Sequence, residues 1–185
     1  MLTKKEIQKN REEIIDLLRS TKRKGIEDLV TWLDNSNFFT SPASTMFHGN
    51  YEGGLAAHSY ECYKEFDRQI EHYEVDLPKE SRIIASLGHD LCKVDYYIPN
   101  ILKKGVSEAK PYKSNDEFPI GHGEKSVILV GRYIELTNKE ALIMRWHMAR
   151  DDPTWETYQD KVEKLCPEVV LFQHVDKIVS LIKGI

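Results

Sequence analysis

Apolar residues recur at helical spacing along most of this chain. Ile7, Ile14, Ile15, Leu17 and Leu18 follow Thr3, and Glu6 three residues after Thr3 completes a capping box, so the pattern predicts a first helix from that point. Gly25 interrupts it, and "IEDLVTWL" (26–33) resumes it as a short second helix that "DNSN" ends. The stretch 38–54, with one proline and three glycines among small polar residues, reads as an ordered loop anchored by aromatics. Leu55, His58, Cys62 and Phe66 then align on one face of a helix reaching His72, and another helix is expected from Lys79 or Glu80 through Leu91, after Pro78. Between 95 and 119 the aromatic and β-branched residues either side of Gly105 suit a hairpin or lid. Helical patterns return at 122–136, 138–148 and 167–182, with "ARDDPTW" as a turn between the last two. The expected fold class is all-α, a single structural domain in which N-terminal helices (1–37) pack on a core of residues 38–185.

Composition narrows the classes without choosing one. The 185 residues suffice for one well-buried domain, and 41% apolar with 30% charged residues is ordinary for a globular protein. A net charge of -4 gives no overall attraction to nucleic-acid phosphates, and the basic clusters at 21–25 and 102–105 read as solvated faces. Cys62, Cys92 and Cys166 are odd in number and far apart, which points away from a disulfide framework or a zinc ribbon and toward a reducing cytoplasm. The charged amphipathic start lacks the apolar core of a signal peptide, and no stretch approaches the ~20 residues of a membrane span. A cytoplasmic protein with no membrane partner is expected.

The candidate chemistry lies in the histidines. "LGHDLCK" (87–93) sets His89 beside Asp90 at the end of an apolar run. Such a pair alone is commonly a core histidine next to a capping carboxylate, so its meaning depends on what else the chain carries. Seven histidines occur; His72, in "IEHYE", reads as a surface residue, and the informative order is His58, His89-Asp90, His122, His147, Asp176. "PASTMFHGNYEGGLAAHS" (42–59), "SLGHDLCK" (86–93), "GHGEKS" (121–126), "RWHM" (145–148) and "HVDKI" (174–178) together resemble the motifs of the HD-domain metal-dependent phosphohydrolases, in the type that holds two metals through additional histidines. The resemblance covers about 38–182. It departs from many two-metal relatives at Met148, where they have a second histidine.

The resemblance implies an HD-domain helical bundle in which His58, His89, Asp90 and Asp176 hold one divalent ion and Asp90 bridges to a second held by His122 and His147. Imidazole and carboxylate donors suit Mn, Fe, Co, Ni, Zn or Mg and leave the cysteines as bystanders. The implied activity is hydrolysis of a phosphoester of a small nucleotide-type substrate by metal-activated water. Lys93 either meets a substrate phosphate or pairs with a carboxylate, and His48 either serves as general acid and phosphate contact or is loop structure. Arg145 and Tyr97 are further candidates for substrate binding, whereas His174, two residues from Asp176 on a helix, points elsewhere and suits packing or outer support. Two alternatives stand beside this reading: a 3'-5' exonuclease on single-stranded nucleic acid, and a non-catalytic nucleotide-sensing module.

Overall fold

The computed structural model describes residues 1–185 apart from 104, 150 and 151; Lys104 of the second basic cluster and Arg150 and Asp151 of the "ARDDPTW" turn therefore lie outside the described residues. The described chain is predominantly helical. Helices α1 (Lys4–Ser20), α2 (Ile26–Asn35), α3 (Gly54–His72) and α4 (Lys79–Gly88) precede a 3-10 turn at Leu91–Lys93, and α5 (His122–Gly131), α6 (Asn138–Trp146), α7 (Trp155–Leu165) and α8 (Glu168–Lys177) follow an extended excursion. The excursion is two antiparallel ribbons: β1 (Tyr97–Pro99) pairs with β4 (Tyr112–Ser114), and β2 (Ile101–Leu102) with β3 (Gly105–Val106).

Local chemistry sets the helix ends. Thr3 and Glu6 form the reciprocal capping box expected at α1, and Thr137 with Glu140 forms a second at α6. Helix α4 stops earlier than its apolar pattern suggests. Its last helical residue is Gly88, His89 is the C-cap, and Asp90 leaves helical geometry at φ -107°, ψ 15°. The break frees the doublet from a helix surface and lets its two side chains turn inward. Helix α7 has no counterpart in the sequence reading, because its only buried residue is Val162.

One continuous core joins the elements. Phe66 of α3 and Phe172 of α8 meet edge to face at 5.0 Å, and Ile14 and Leu18 of α1 close the same core beside Ile83 and Ile84 of α4. Each such fully buried side chain contributes about 1.5–3 kcal/mol relative to exposure. A buried polar node locks the N-terminal helices on: the Glu140 carboxylate accepts from Arg23 at 2.6 Å, Ser81 at 2.7 Å and the Thr137 amide at 2.8 Å.

Two glycines permit the close approaches that place the histidine-bearing helix ends. A Cβ on Gly54 would stand 2.0 Å from the Gly49 carbonyl oxygen, and one on Gly123 would stand 2.1 Å from that of Arg145. Gly54 thus seats the loop 38–53 against the start of α3, four residues before His58. Gly123 lets α5 touch the end of α6, so His122 and His147 come within 5.3 Å, centroid to centroid.

Candidate metal centre

His89 and His147 occupy the same local position, the C-cap of a helix, and use it identically. Each ring Nδ1 donates to the carbonyl three residues back, Ser86 at 2.7 Å and Met144 at 2.7 Å, satisfying an orphan carbonyl of the helix end. His58, inside α3, donates Nδ1 to the main-chain oxygen of Ile185 at 2.9 Å, brought there by the π-helical turn Ile178–Lys183 that continues α8. A carbonyl only accepts, so all three rings carry a proton on Nδ1 and, when neutral, a lone pair on Nε2.

Those three Nε2 atoms converge. His58 and His89 approach to 3.3 Å, Asp176 Oδ1 lies 3.1 Å from His58 Nε2, and the buried His147 Nε2 has no hydrogen-bond partner. Asp90 divides its carboxylate between two groups. Its Oδ2 faces His89 at 3.5 Å and His58 at 3.7 Å, while its Oδ1 faces His122 at 2.8 Å and His147 at 3.6 Å. Lone pairs and carboxylates at such spacing require positive charge between them, a proton at least and a metal ion at most. No family model, curated protein or solved structure matches this chain. The donor set itself therefore carries the assignment: these buried His, Asp and Cys groups could hold a metal ion.

The electrostatics favour the neutral form of His89 and His122 and the ionised form of Asp90 and Asp176. Burial pushes the His89 imidazole down to about 3 despite the opposing pull of Asp90 and Asp176, and burial likewise lowers His122. Burial would raise the Asp90 carboxyl, but Lys93 and the surrounding histidines outweigh it and hold it well below the usual range. Asp176 is lowered in the same way, by His58 against its burial. A metal ion would take the place of the proton between His58 Nε2 and Asp176, since ligating imidazoles are neutral and ligating carboxylates ionised.

Each remaining candidate from the sequence has a definite place. Lys93 donates to Asp90 Oδ2 at 2.6 Å; burial disfavours its charge, yet Asp90 keeps it above the ordinary lysine range. His48 lies against His58, ring centroids 4.9 Å apart, with a buried and unpartnered Nε2, and burial followed by its His58 and Lys93 neighbours pushes it down to about 4. Arg145 is paired with Glu124 at 2.5 Å and Asp152 at 2.6 Å and stacks on Trp146. His48, Lys93, Tyr97 and Arg145 all line a cavity of about 890 Å³ whose floor is Asp90, His122, His147 and Asp176. His174 is exposed and bonds its own helix at Val170, and His72 is exposed beside Tyr73.

The cysteines are the correction. Cys166 stands apart from the site, by Lys139 and Glu168, whereas the other two, set aside as bystanders, lie among the groups that could hold a metal ion. Cys62 Sγ lies 3.6 Å from His58 Nε2, and Cys92 Sγ lies 3.3 Å from His122 Nε2. The shared face of His58 and Cys62 follows from their spacing, four residues apart on a helix; the sequence reading does not count the thiol on that face among the donors.

Proposed function

We propose that this chain is a metal-dependent phosphohydrolase of the HD type that hydrolyses a phosphoester of a small nucleotide-type substrate. The observation that carries the reading is the divided carboxylate of Asp90, with two histidines and Asp176 on one side and two further histidines on the other, at the floor of an open cavity. Divalent ions held there supply a nucleophilic water at neutral pH and stabilise charge on a phosphoryl oxygen. His58, His89, Asp90 and Asp176 would hold one ion and Asp90, His122 and His147 a second.

The chain's own residues account for the rest. Lys93 neutralises the inner carboxylate oxygen and presents its ammonium to the cavity, where a phosphoryl oxygen can share it. His48 lines the cavity beside His58 and its burial favours the neutral ring, which suits it to meet a substrate hydroxyl or phosphate. Tyr97, at the base of the ribbon excursion, forms part of the cavity wall, so the excursion serves as a lid that selects substrate. The volume is within the range of small-molecule sites. Of the cavity's basic groups, Lys93 and Arg145 are paired with carboxylates and Lys177 is at the rim, which suits one phosphoryl group better than a nucleic-acid backbone.

The test is a turnover screen of the metal-loaded protein against nucleoside phosphates, cyclic nucleotides and model phosphodiesters, with single-stranded oligonucleotides as the rival substrate. Hydrolysis of a nucleotide that disappears in Asp90→Ala supports the proposal. Metal-loaded protein that turns over none of them, or only oligonucleotides, overturns it.

A further inference from the structure

The position holding His58, His89 and Asp176 contains a fourth donor. Cys62 stands one turn beyond His58 on α3, is fully buried, and directs its sulfur at the same point. The ligand atoms of His58, Cys62, His89 and Asp176 all lie within 4.8 Å of one another. A tetrahedral ion with nitrogen and oxygen ligands at about 2.0–2.1 Å and sulfur at about 2.3 Å has edges of about 3.3–3.4 Å between the light donors and about 3.5–3.6 Å from nitrogen to sulfur. The observed separations about His58 Nε2 are 3.3 Å to His89, 3.1 Å to Asp176 and 3.6 Å to Cys62.

A neutral thiol donating to His58 is the simpler alternative. One S–H satisfies one lone pair, however, and leaves His89 Nε2 and Asp176 Oδ1 still directed at the same nitrogen.

We infer that Cys62 is a thiolate ligand of the ion bound by His58, His89 and Asp176, making this a mixed nitrogen, oxygen and sulfur site that takes Zn²⁺ or Co²⁺ in preference to Mg²⁺ or Mn²⁺. The inference rests on the metal-centre reading above. Binding forms a metal–sulfur bond and breaks the S–H bond, one proton leaves to solvent per ion, and no electron is transferred. Cys92 does not have this geometry: its sulfur is 3.3 and 3.4 Å from the two ring nitrogens of His122, off the lone-pair direction of either.

The experiment is the near-ultraviolet spectrum of metal-free protein titrated with Co²⁺. A thiolate-to-cobalt charge-transfer band is expected in the wild type and in Cys92→Ala and is lost in Cys62→Ala and Cys62→Ser. Zn²⁺ affinity of the Cys62 variants should fall at least about 10- to 100-fold, the range for losing even an outer partner of a ligand. If those variants fail to fold, the band in Cys92→Ala still decides the matter: its persistence there supports Cys62, and its loss there overturns the assignment. Bound Co²⁺ without the band overturns the Cys62 assignment and leaves the metal centre standing, as does a band that persists in Cys62→Ala and vanishes in Cys92→Ala. No Co²⁺ uptake at all removes the centre and this inference together.

Discussion

The Nε2 atoms of His58 and His89 lie 3.3 Å apart although both Nδ1 atoms are already engaged by main-chain carbonyls, Ile185 for one ring and Ser86 for the other. When both rings are neutral, two lone pairs thus face each other on fully buried side chains beside Asp90 and Asp176. Burial without compensation costs each such group about 1–3 kcal/mol. A shared cation would convert that cost into binding energy and so tie the stability of the fold to the ion.

Metal removal should therefore lower stability. At a free-ion concentration 100 times the dissociation constant, the ion adds about 2.7 kcal/mol. Thermal melts of chelated and Zn²⁺-reloaded protein should differ in that direction, and coincident melts would refute the coupling.

Lys93→Met separates charge from packing. Lys93 pairs with the buried Asp90 at 2.6 Å, so breaking that pair should cost the metal-free protein about 3–5 kcal/mol. Metal occupancy should be retained, because the ammonium no longer competes for Oδ2, while inhibition by inorganic phosphate weakens. A fall in occupancy would instead make Lys93 a structural support of the ligands.

Gly123→Ala should drive α5 from α6, since its Cβ would meet the Arg145 carbonyl oxygen at 2.1 Å. The expected loss is about 1–3 kcal/mol in urea unfolding, with the ion of His122 and His147 released before that of His58 and His89. His72→Ala, on an exposed side chain, should alter neither quantity. Unchanged metal stoichiometry in Gly123→Ala would show that the helix contact does not position His122.

Phe172 packs edge-on against both His89, at 5.1 Å, and Phe66, at 5.0 Å. Phe172→Ala should cost about 3–5 kcal/mol and loosen the first ion as well, because the ring wall behind His89 is lost. A cost below about 1 kcal/mol would mean that the core refills the space.

Much of this arrangement was legible in the chain because its signals are local. Thr3 with Glu6 announces α1, and the spacing of Leu55, His58, Cys62 and Phe66 announces the inward face of α3. Convergence of His58, His89, Asp90, His122, His147 and Asp176 was an expectation from motif order, and the structure brings their donor atoms to one place. Four features escape a local reading. Helix α7 buries little beyond Val162, so its pattern is weak. The early end of α4 at Gly88 lies against Val130 of α5 and Met144 of α6, distant contacts that a local pattern does not carry. Cys62 is set aside by the reasoning about thiolate-rich zinc sites, although its place one turn from His58 puts it in the same group of possible donors. The contact of His58 with Ile185, 127 residues away, leaves no local trace at all.

The central claim is that these residues grip divalent ions, and elemental analysis of purified protein after exhaustive dialysis against Zn²⁺ or Co²⁺ at neutral pH tests it most directly. The account predicts two ions per wild-type chain and a sharp loss in Asp90→Ala, whose carboxylate faces both groups. Wild-type protein that retains no more metal than Asp90→Ala would contradict it.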